Sequence, residues 1–365
     1  MSKRIKVLLI GDAMIPGSDF KVAAEKYLGG LLAEVKVSDW EPNWPKLQQR
    51  RLEVEKKGPE IEIVDPLVEQ HGRDAEMLAG LFVPISSKVM EAMPKLRVAG
   101  VSRAGLENVN VAEATRRGIV VLNIEGRNAE AVSDYAIGMM LAECRNIARA
   151  HFAIKSGQWR KTFSNSDWVP ELRGKNIGIV GFGYIGRLVA QKLSGFGVNR
   201  LVYDPFVAAE EVRAAGCLQV EKETLFRDSD FVTLHARMGE GSKNMVGEHE
   251  LSLMKPTAYL INTARAGLID QAALAAALRE KKIAGAGLDV FHDEPIKPDN
   301  PLLALDNVTL STHLAGTTRE ALTRSPEILM EDIHKLLTGG KPRFVVNREV
   351  LERPDFKAWL AGVKA

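Results

Sequence analysis

The sequence is poor in cysteine. Only Cys144 and Cys217 occur in 365 residues, far apart and outside any CxxC or Cys/His spacing. That excludes a disulfide framework and a structural zinc site, and leaves two buried thiols with no metal expected. An excess of either charge is also missing: 49 Lys+Arg stand against 47 Asp+Glu, so no global field recruits nucleic acid or an anionic membrane. Long apolar runs are absent too. The one behind the basic start MSKRIKVLLIGD ends at Gly11-Asp12, too short for a signal peptide or a membrane span, so a cytoplasmic protein without a membrane partner is expected. Neither an internal repeat nor a low-complexity tract is visible. What remains as a partner is a small molecule.

A chain of 365 residues, 45% hydrophobic and 26% charged, exceeds what one hydrophobic core usually supports, so two domains are expected. Short β-branched runs alternate with helix-period segments: IKVLLIG (5–11), LFVP (81–84), LRVAGVS (96–102) and IVVLNI (119–124). This alternation predicts a parallel sheet covered by helices. Residues 41–60, EPNWPKLQQRRLEVEKKGPE, interrupt it with charge and proline and read as a solvated helix or surface excursion without chemistry of its own. From Asn128, read as an N-cap with Glu130 in the first turn, NAEAVSDYAIGMMLAECRNIARAHF carries Val132, Ala136 and Met140 on one face, flanked by Tyr135 and Met139. It predicts one long helix whose methionines pack in a core or subunit interface. A second alternating series follows: NIGIVGFG, RLVYDP (200–205), DFVTLHA (230–236), AYLINTAR (258–265), AGLDVF (286–291) and NVTLSTH (307–313). It reads as a dinucleotide-binding sheet.

The stretch IGIVGFGYIGRLVA (177–190) gives this second sheet its ligand. A GxGxxG pattern alone is weak, but here it follows a strand, opens a helix, and is succeeded by LVYDP with Asp204 at the end of the next strand. Gly181 permits the tight turn, Gly183 lets the backbone approach a pyrophosphate, and Gly186 lets the helix pack closely, its N-terminal N–H groups facing the anion. Asp204 can accept hydrogen bonds from both ribose hydroxyls and would repel a 2′-phosphate, and Pro205-Phe206-Val207 offer no arginine to receive one. NAD is therefore expected rather than NADP. The pattern lies deep in the chain, so a separate α/β unit over residues 1–127 is expected, with a second substrate lying between the two units.

Ligands of open α/β sheets bind beyond the carboxyl ends of the strands. Arg265 ends AYLINTAR, Glu294 follows AGLDVFHD, and His313 ends NVTLSTH. Alone, each reads as a solvated or hydrogen-bonded structural residue. Beside a nicotinamide they have a joint use, because reduction of a 2-oxo acid needs a hydride, a proton for the carbonyl oxygen and a cation for the carboxylate. His313 would give and take the proton, Glu294 would hold its ring and favour the charged form, and Arg265 would clamp the carboxylate with its planar fork.

With these residues in place the chain resembles the D-isomer-specific 2-hydroxyacid dehydrogenases. The resemblance runs through LRGKNIGIVGFGYIGR (172–187), LVYDP, TLHAR (233–237), LINTARAGLIDQAAL (260–274), GLDVFHDEP (287–295) and STHLAG (311–316), and more loosely through the first 127 residues. Arg265, Glu294 and His313 match the family's Arg, Glu and His in order and separation. The resemblance implies two Rossmann-like domains with parallel sheets, a nucleotide-binding domain (128–316) inserted into a flavodoxin-like substrate domain (1–127 plus 317–365). It implies NAD as cofactor, a D-2-hydroxy acid or its 2-oxo acid as substrate, and homodimers joined through the nucleotide domains. By the same resemblance Asp289 contacts the nicotinamide carboxamide, His235, Thr263 and Ala264 lie along the cofactor, and Tyr184 and Ile185 present backbone amides to the pyrophosphate.

The chain also departs from the family. SRAGLENVN (102–110) resembles the substrate-carboxylate loop but is shorter, which makes Arg103, Ala104 and Gly105 the candidates for substrate contact there. Arg237 follows His235-Ala236 without the usual proline and reads equally as a cleft or a surface residue. Thr312 replaces the proline before His313, and Ser133-Asp134 stands where Ala-Glu is common. A second functional class shares the triad, the corepressor-type scaffolds that sense NAD(H) and bind peptides, but no Pro/Ser-rich tail supports it. Formate-type relatives pair the histidine with glutamine, against which Glu294 argues. The identity of the acid stays open, and the shortened loop and the 41–60 segment point away from the commonest one.

Overall fold

IKVLLIG forms the first strand, β1 (Ile5–Gly11), in which every residue but Lys6 is buried. A strand apolar on both faces must be covered on both, as in the middle of a parallel sheet. In the computed structural model, which describes residues 3–364, β1 pairs in parallel with β2 (Leu32–Asp39) and β3 (Met77–Gly80). β4 (Val98–Val101) and β5 (Val120–Leu122) complete a five-stranded sheet of order β2-β1-β3-β4-β5. The strand expected at LFVP (81–84) lies instead at Met77–Gly80. Leu81–Val83 are buried but form a loop beyond the strand end, where the N–H of Phe82 donates to the Asp12 carboxylate at 3.3 Å. A Cβ at Gly80 would fall 2.2 Å from the Ile10 carbonyl oxygen, so glycine is required where the chain leaves the sheet.

The chain divides into two compact units, Met1–Arg127 with Thr318–Ala365, and Asn128–Thr317. In the first, the helix Arg319–Thr338 sends Leu329, Met330, Ile333 and Leu337 into the same core as β1, β3 and β4. Residues 41–60 are more ordered than a surface excursion. Asn43 caps a helix, Trp44–Lys57, by accepting from the Lys46 N–H at 3.1 Å; Leu47 and Val54 enter the core, and Arg50 stacks 4.2 Å from the Trp40 ring centroid.

The second unit holds seven parallel strands, β6 (Asn176–Val180), β7 (Asn199–Tyr203), β8 (Leu218–Gln219), β9 (Phe231–Leu234), β10 (Tyr259–Asn262), β11 (Gly285–Leu288) and β12 (Val308–Leu310). Their order is β12-β11-β10-β9-β6-β7-β8, so the winding reverses at β6. The single long helix expected from Asn128 is two, Ala129–Cys144 and Ile147–Lys155, broken at Asn146 with φ +57°. The break is held by side chains beyond the first helix: Asn165 Nδ2 donates to the Cys144 carbonyl at 2.9 Å, and Arg149 Nη1, from the second helix, to the Glu143 carbonyl at 2.9 Å. These take up carbonyls that a continuing helix would have used. Asn128 stands at the N-cap position, yet its side chain accepts no helix N–H. Among the described residues no helix is long and apolar enough to cross a membrane.

Glu143 is fully buried beneath this break, where it pairs with Arg149 and accepts from Thr309 Oγ1 at 2.6 Å. Burial pushes its pKa up, against the pull of Arg149. Removing one member of a buried pair strands the other charge. Arg149→Met should therefore cost about 3–5 kcal/mol in urea denaturation, and Glu143→Gln in the same background should recover a large part of it.

Candidate active site

Because the winding of the second sheet reverses at β6, the carboxyl ends of β6 and its neighbours β7 and β9 flank the place where open α/β sheets bind ligands. Two glycines of the loop after β6 are demanded by the protein itself. Gly181 has φ +90°, and a Cβ there would lie 2.6 Å from the Ala236 amide nitrogen; a Cβ at Gly186 would lie 2.1 Å from the Gly181 carbonyl oxygen. Gly183 is different. Its φ is −78°, and nothing lies within 4 Å of where its Cβ would be. The protein leaves that space open above the start of the helix Tyr184–Leu193, as a phosphate approaching backbone N–H groups requires.

Asp204, half-buried after β7, ties this loop to the next. Its Oδ2 accepts from the Phe182 N–H at 2.7 Å and its Oδ1 from the Phe206 N–H at 2.9 Å. His235 and Thr263 follow β9 and β10 at equivalent positions, since Leu234 is the register partner of Asn262. The His235 ring shares a 2.9 Å hydrogen bond between Nε2 and Thr233 Oγ1, while its Nδ1 has no partner; Thr263 Oγ1 is likewise buried without one. Burial pushes the His235 pKa down to about 3, so the ring is neutral. A buried polar atom left unpaired costs roughly 1–3 kcal/mol. Two of them at adjacent strand ends, beside the open Gly183, fit a polar ligand laid along this edge, as a dinucleotide would be.

The structure brings His313 and Glu294 together: His313 Nδ1 lies 2.8 Å from Glu294 Oε2. The other carboxylate oxygen of Glu294 accepts from the Phe291 N–H at 3.0 Å, so the acid is held from its own turn. His313 is 50% exposed and has φ +56°, a conformation rare for a residue with a Cβ. Arg265 is exposed beyond β10, the neighbour of β11, on a turn closed by Asn262, whose Nδ2 donates to the Arg265 carbonyl at 2.9 Å. Its guanidinium donates to the Ala264 carbonyl at 2.7 Å, and among the described residues it pairs with neither Glu294 nor His313.

Asp289 does something that no motif announces. Fully buried after β11, it accepts from Ser311 Oγ at 2.6 Å and the Leu314 N–H at 2.9 Å with Oδ1, and from the Ala315 N–H at 2.9 Å with Oδ2. Both oxygens thus hold the 311–315 loop that carries His313. The only sequence signal is an acidic residue directly after a strand. In the first unit, Arg103 is committed to ion pairs with Glu55 and Glu107, each 3.1 Å away, and lies over the Phe82 ring. Ala104 is exposed, its carbonyl accepting from Asn123 Nδ2 at 2.9 Å, and Gly105 adjoins the Glu107 carboxylate. Arg237 is exposed.

The chain is similar to known proteins over most of its length. Residues 137–315 match the family model described as D-isomer specific 2-hydroxyacid dehydrogenase, NAD binding domain. A glyoxylate reductase of Korarchaeum cryptofilum is 39% identical over 287 residues, 77% of this chain and 85% of that protein. The glyoxylate reductase of Pyrococcus furiosus is 34% identical over 340 residues, 91% of this chain and 96% of that one. The D-3-phosphoglycerate dehydrogenase of Archaeoglobus fulgidus is 38% identical, but the chain spans only 51% of its length. In fold, the NAD-complexed D-isomer specific 2-hydroxyacid dehydrogenase of Lactobacillus delbrueckii ssp. bulgaricus superposes with a TM-score of 0.73 over 94% of this chain and all of that one, at 22% identity. The chain belongs to the D-isomer-specific 2-hydroxyacid dehydrogenase family. It is a two-domain, Rossmann-like oxidoreductase of that class, served by a nicotinamide cofactor.

The buried His235 makes a prediction about acid. The unfolded chain takes up a proton near 6.5, whereas the folded state stays neutral down to about 3. Folding stability is therefore full above the unfolded value and is lost as pH falls through that window. Melting temperature measured between pH 7 and 4 should fall less steeply in His235→Gln than in wild type.

Proposed function

We propose that the protein interconverts a D-2-hydroxy acid and its 2-oxo acid, with His313 as the acid/base, Glu294 as its partner and Arg265 as the carboxylate clamp. The observation that carries this reading is the 2.8 Å contact between His313 Nδ1 and Glu294 Oε2 on a half-exposed imidazole. With Nδ1 engaged by the carboxylate, Nε2 is the nitrogen left to exchange a proton with the substrate oxygen. Glu294 orients the ring and stabilises the imidazolium that exists before the proton is given up. Arg265 offers a fork to the substrate carboxylate and polarises the adjacent carbonyl. When bound, the nicotinamide cofactor supplies or accepts the hydride.

NAD rather than NADP is the cofactor we infer, because Asp204 puts a carboxylate between the glycine loop and the next turn, where a 2′-phosphate would meet like charge. Tyr184 and Ile185 would offer backbone N–H groups to the pyrophosphate, and Thr263, Ala264 and His235 would line the ring half, whereas Asp289, expected at the carboxamide, is buried with both oxygens engaged by the 311–315 loop. Arg103, Ala104 and Gly105 would serve the substrate from the first unit. A homodimer through the second unit is supported by Ile147, Phe152, Ile154 and Trp159, which lie close in sequence and are 57%, 73%, 58% and 80% exposed. The glyoxylate reductases among the relatives make glyoxylate the first acid to assay.

Absorbance of NADH with a panel of 2-oxo acids tests the reading. His313→Ala should lower kcat by roughly 10²- to 10⁴-fold while NADH still binds, and NADPH should serve less well than NADH. If NADH binds but no acid is turned over, the NAD(H)-sensing scaffold takes the place of the enzyme.

A further inference from the structure

Sheet edges are treated unequally in this protein. β8 and β12, the outer strands of the second sheet, have only two and three residues. β5, at one end of the first sheet, is covered by the returning chain at the antiparallel bridge Leu122–Val345: the Val346 N–H donates to the Val121 carbonyl at 3.0 Å, and Asn347 Oδ1 accepts from the Val121 N–H at 2.8 Å. β2, at the other end, runs for eight residues without a proline, and among the described residues it pairs with β1 alone. Sheets avoid adding foreign strands by keeping their edges short or covered, so a long bare edge is a template for another chain.

The register of β2 against β1 shifts once, at Ala33, and is regular from Glu34 to Asp39. Just past the strand, the Trp40 N–H donates inward to the Gly11 carbonyl at 2.8 Å. Successive residues of a parallel strand turn their main-chain groups to opposite sides, so Ser38, Lys36 and Glu34 also bond toward β1, while Val35 and Val37 point their N–H and C=O groups outward. Side chains alternate between the two faces. Val35 and Val37 lie against the core of the first unit, whereas Glu34 and Lys36 stand on the other face, 43% and 39% exposed and 3.3 Å apart. Across the free edge the sequence thus presents an outward-bonding valine flanked by one negative and one positive side chain.

We propose that β2 docks on β2 of a second copy of this chain, antiparallel about a twofold axis at Val35, joining two five-stranded sheets into one. Val35 and the partner's Val35 exchange main-chain hydrogen bonds. Glu34 then lies opposite the partner's Lys36, and Lys36 opposite the partner's Glu34, at the non-hydrogen-bonded positions where facing side chains come closest. The signs select this register. The next antiparallel registers on either side put Glu34 against the partner's Glu34 or Lys36 against the partner's Lys36. Main-chain bonds supply the affinity, while the exposed ion pairs, each worth little, supply the choice of partner. This contact is separate from the apolar residues 147–159 of the second unit and does not depend on the reaction.

Sedimentation velocity of the full chain across a concentration series tests this. Wild type should form a species of twice the mass seen for Val35→Pro, a substitution that removes an outward N–H and leaves the bonds to β1 in place. Glu34→Lys and Lys36→Glu should each raise the dissociation constant of that step by roughly 10-fold or more, since like charges then face each other. Mixing the two single variants should restore association to the wild-type level, because an edge with two lysines then meets an edge with two glutamates. A role for either residue in its own fold alone would give no such recovery. Should Val35→Pro fail to fold, the mixing experiment carries the test. Equal mass for wild type and Val35→Pro at every concentration overturns the proposal, as does a mixture no more associated than its two components. An assembly that none of these substitutions weakens is held by another surface and overturns it equally.

Discussion

One buried carboxylate governs where the imidazole can be. Asp289 sits directly after β11 and spends both oxygens on the Ser311 hydroxyl and the Leu314 and Ala315 N–H groups. Between those anchors the chain must pass through His313 at φ +56°, a conformation that costs an L-residue about 1–2 kcal/mol. Three charge-assisted hydrogen bonds in a dry site are enough to offset that. The consequence is that a half-exposed histidine is positioned by a strand of the sheet and not by a mobile loop. Glu294 is fixed in turn by the Phe291 N–H, so the 2.8 Å contact between the two is set from both sides.

The same division between what the protein needs and what a ligand needs runs through the glycine loop. Gly181 and Gly186 are there because backbone presses on them, whereas Gly183 has nothing near it. The unpartnered Nδ1 of His235 and Oγ1 of Thr263 add two polar groups that the fold leaves unmet along the same edge. Each is a local departure from the polar satisfaction that a stable fold otherwise reaches.

Much of this was legible in the sequence, and the parts that were not have physical reasons. β1 was readable because it is apolar on both faces. β2, an edge strand of LAEVKVSD with no fully buried residue, lacks that signal. LFVP has strand-like composition because it is buried, yet Asp12 takes the N–H of Phe82 and holds the segment as a loop. The break at Asn146 depends on Asn165 and on Arg149 reaching the last carbonyls of the first helix, contacts that helical periodicity does not encode. The pairing of Glu294 with His313 was expected from residue types at strand ends. The clamp by Asp289 was not, since nothing in the sequence says which way a buried carboxylate turns. The engagement of Arg103 by Glu55 depends on packing between a loop and a distant helix, and so lay beyond any reading of motifs.

The central claim is that Asp289 holds His313 against Glu294, and proton NMR of the imidazole tests it most directly. In wild type at low temperature the His313 Nδ1 proton should be hydrogen-bonded and downfield. In Asp289→Asn, whose amide cannot accept all three bonds, that resonance should broaden or vanish while the rest of the spectrum keeps its dispersion. An unchanged resonance in Asp289→Asn would contradict the claim.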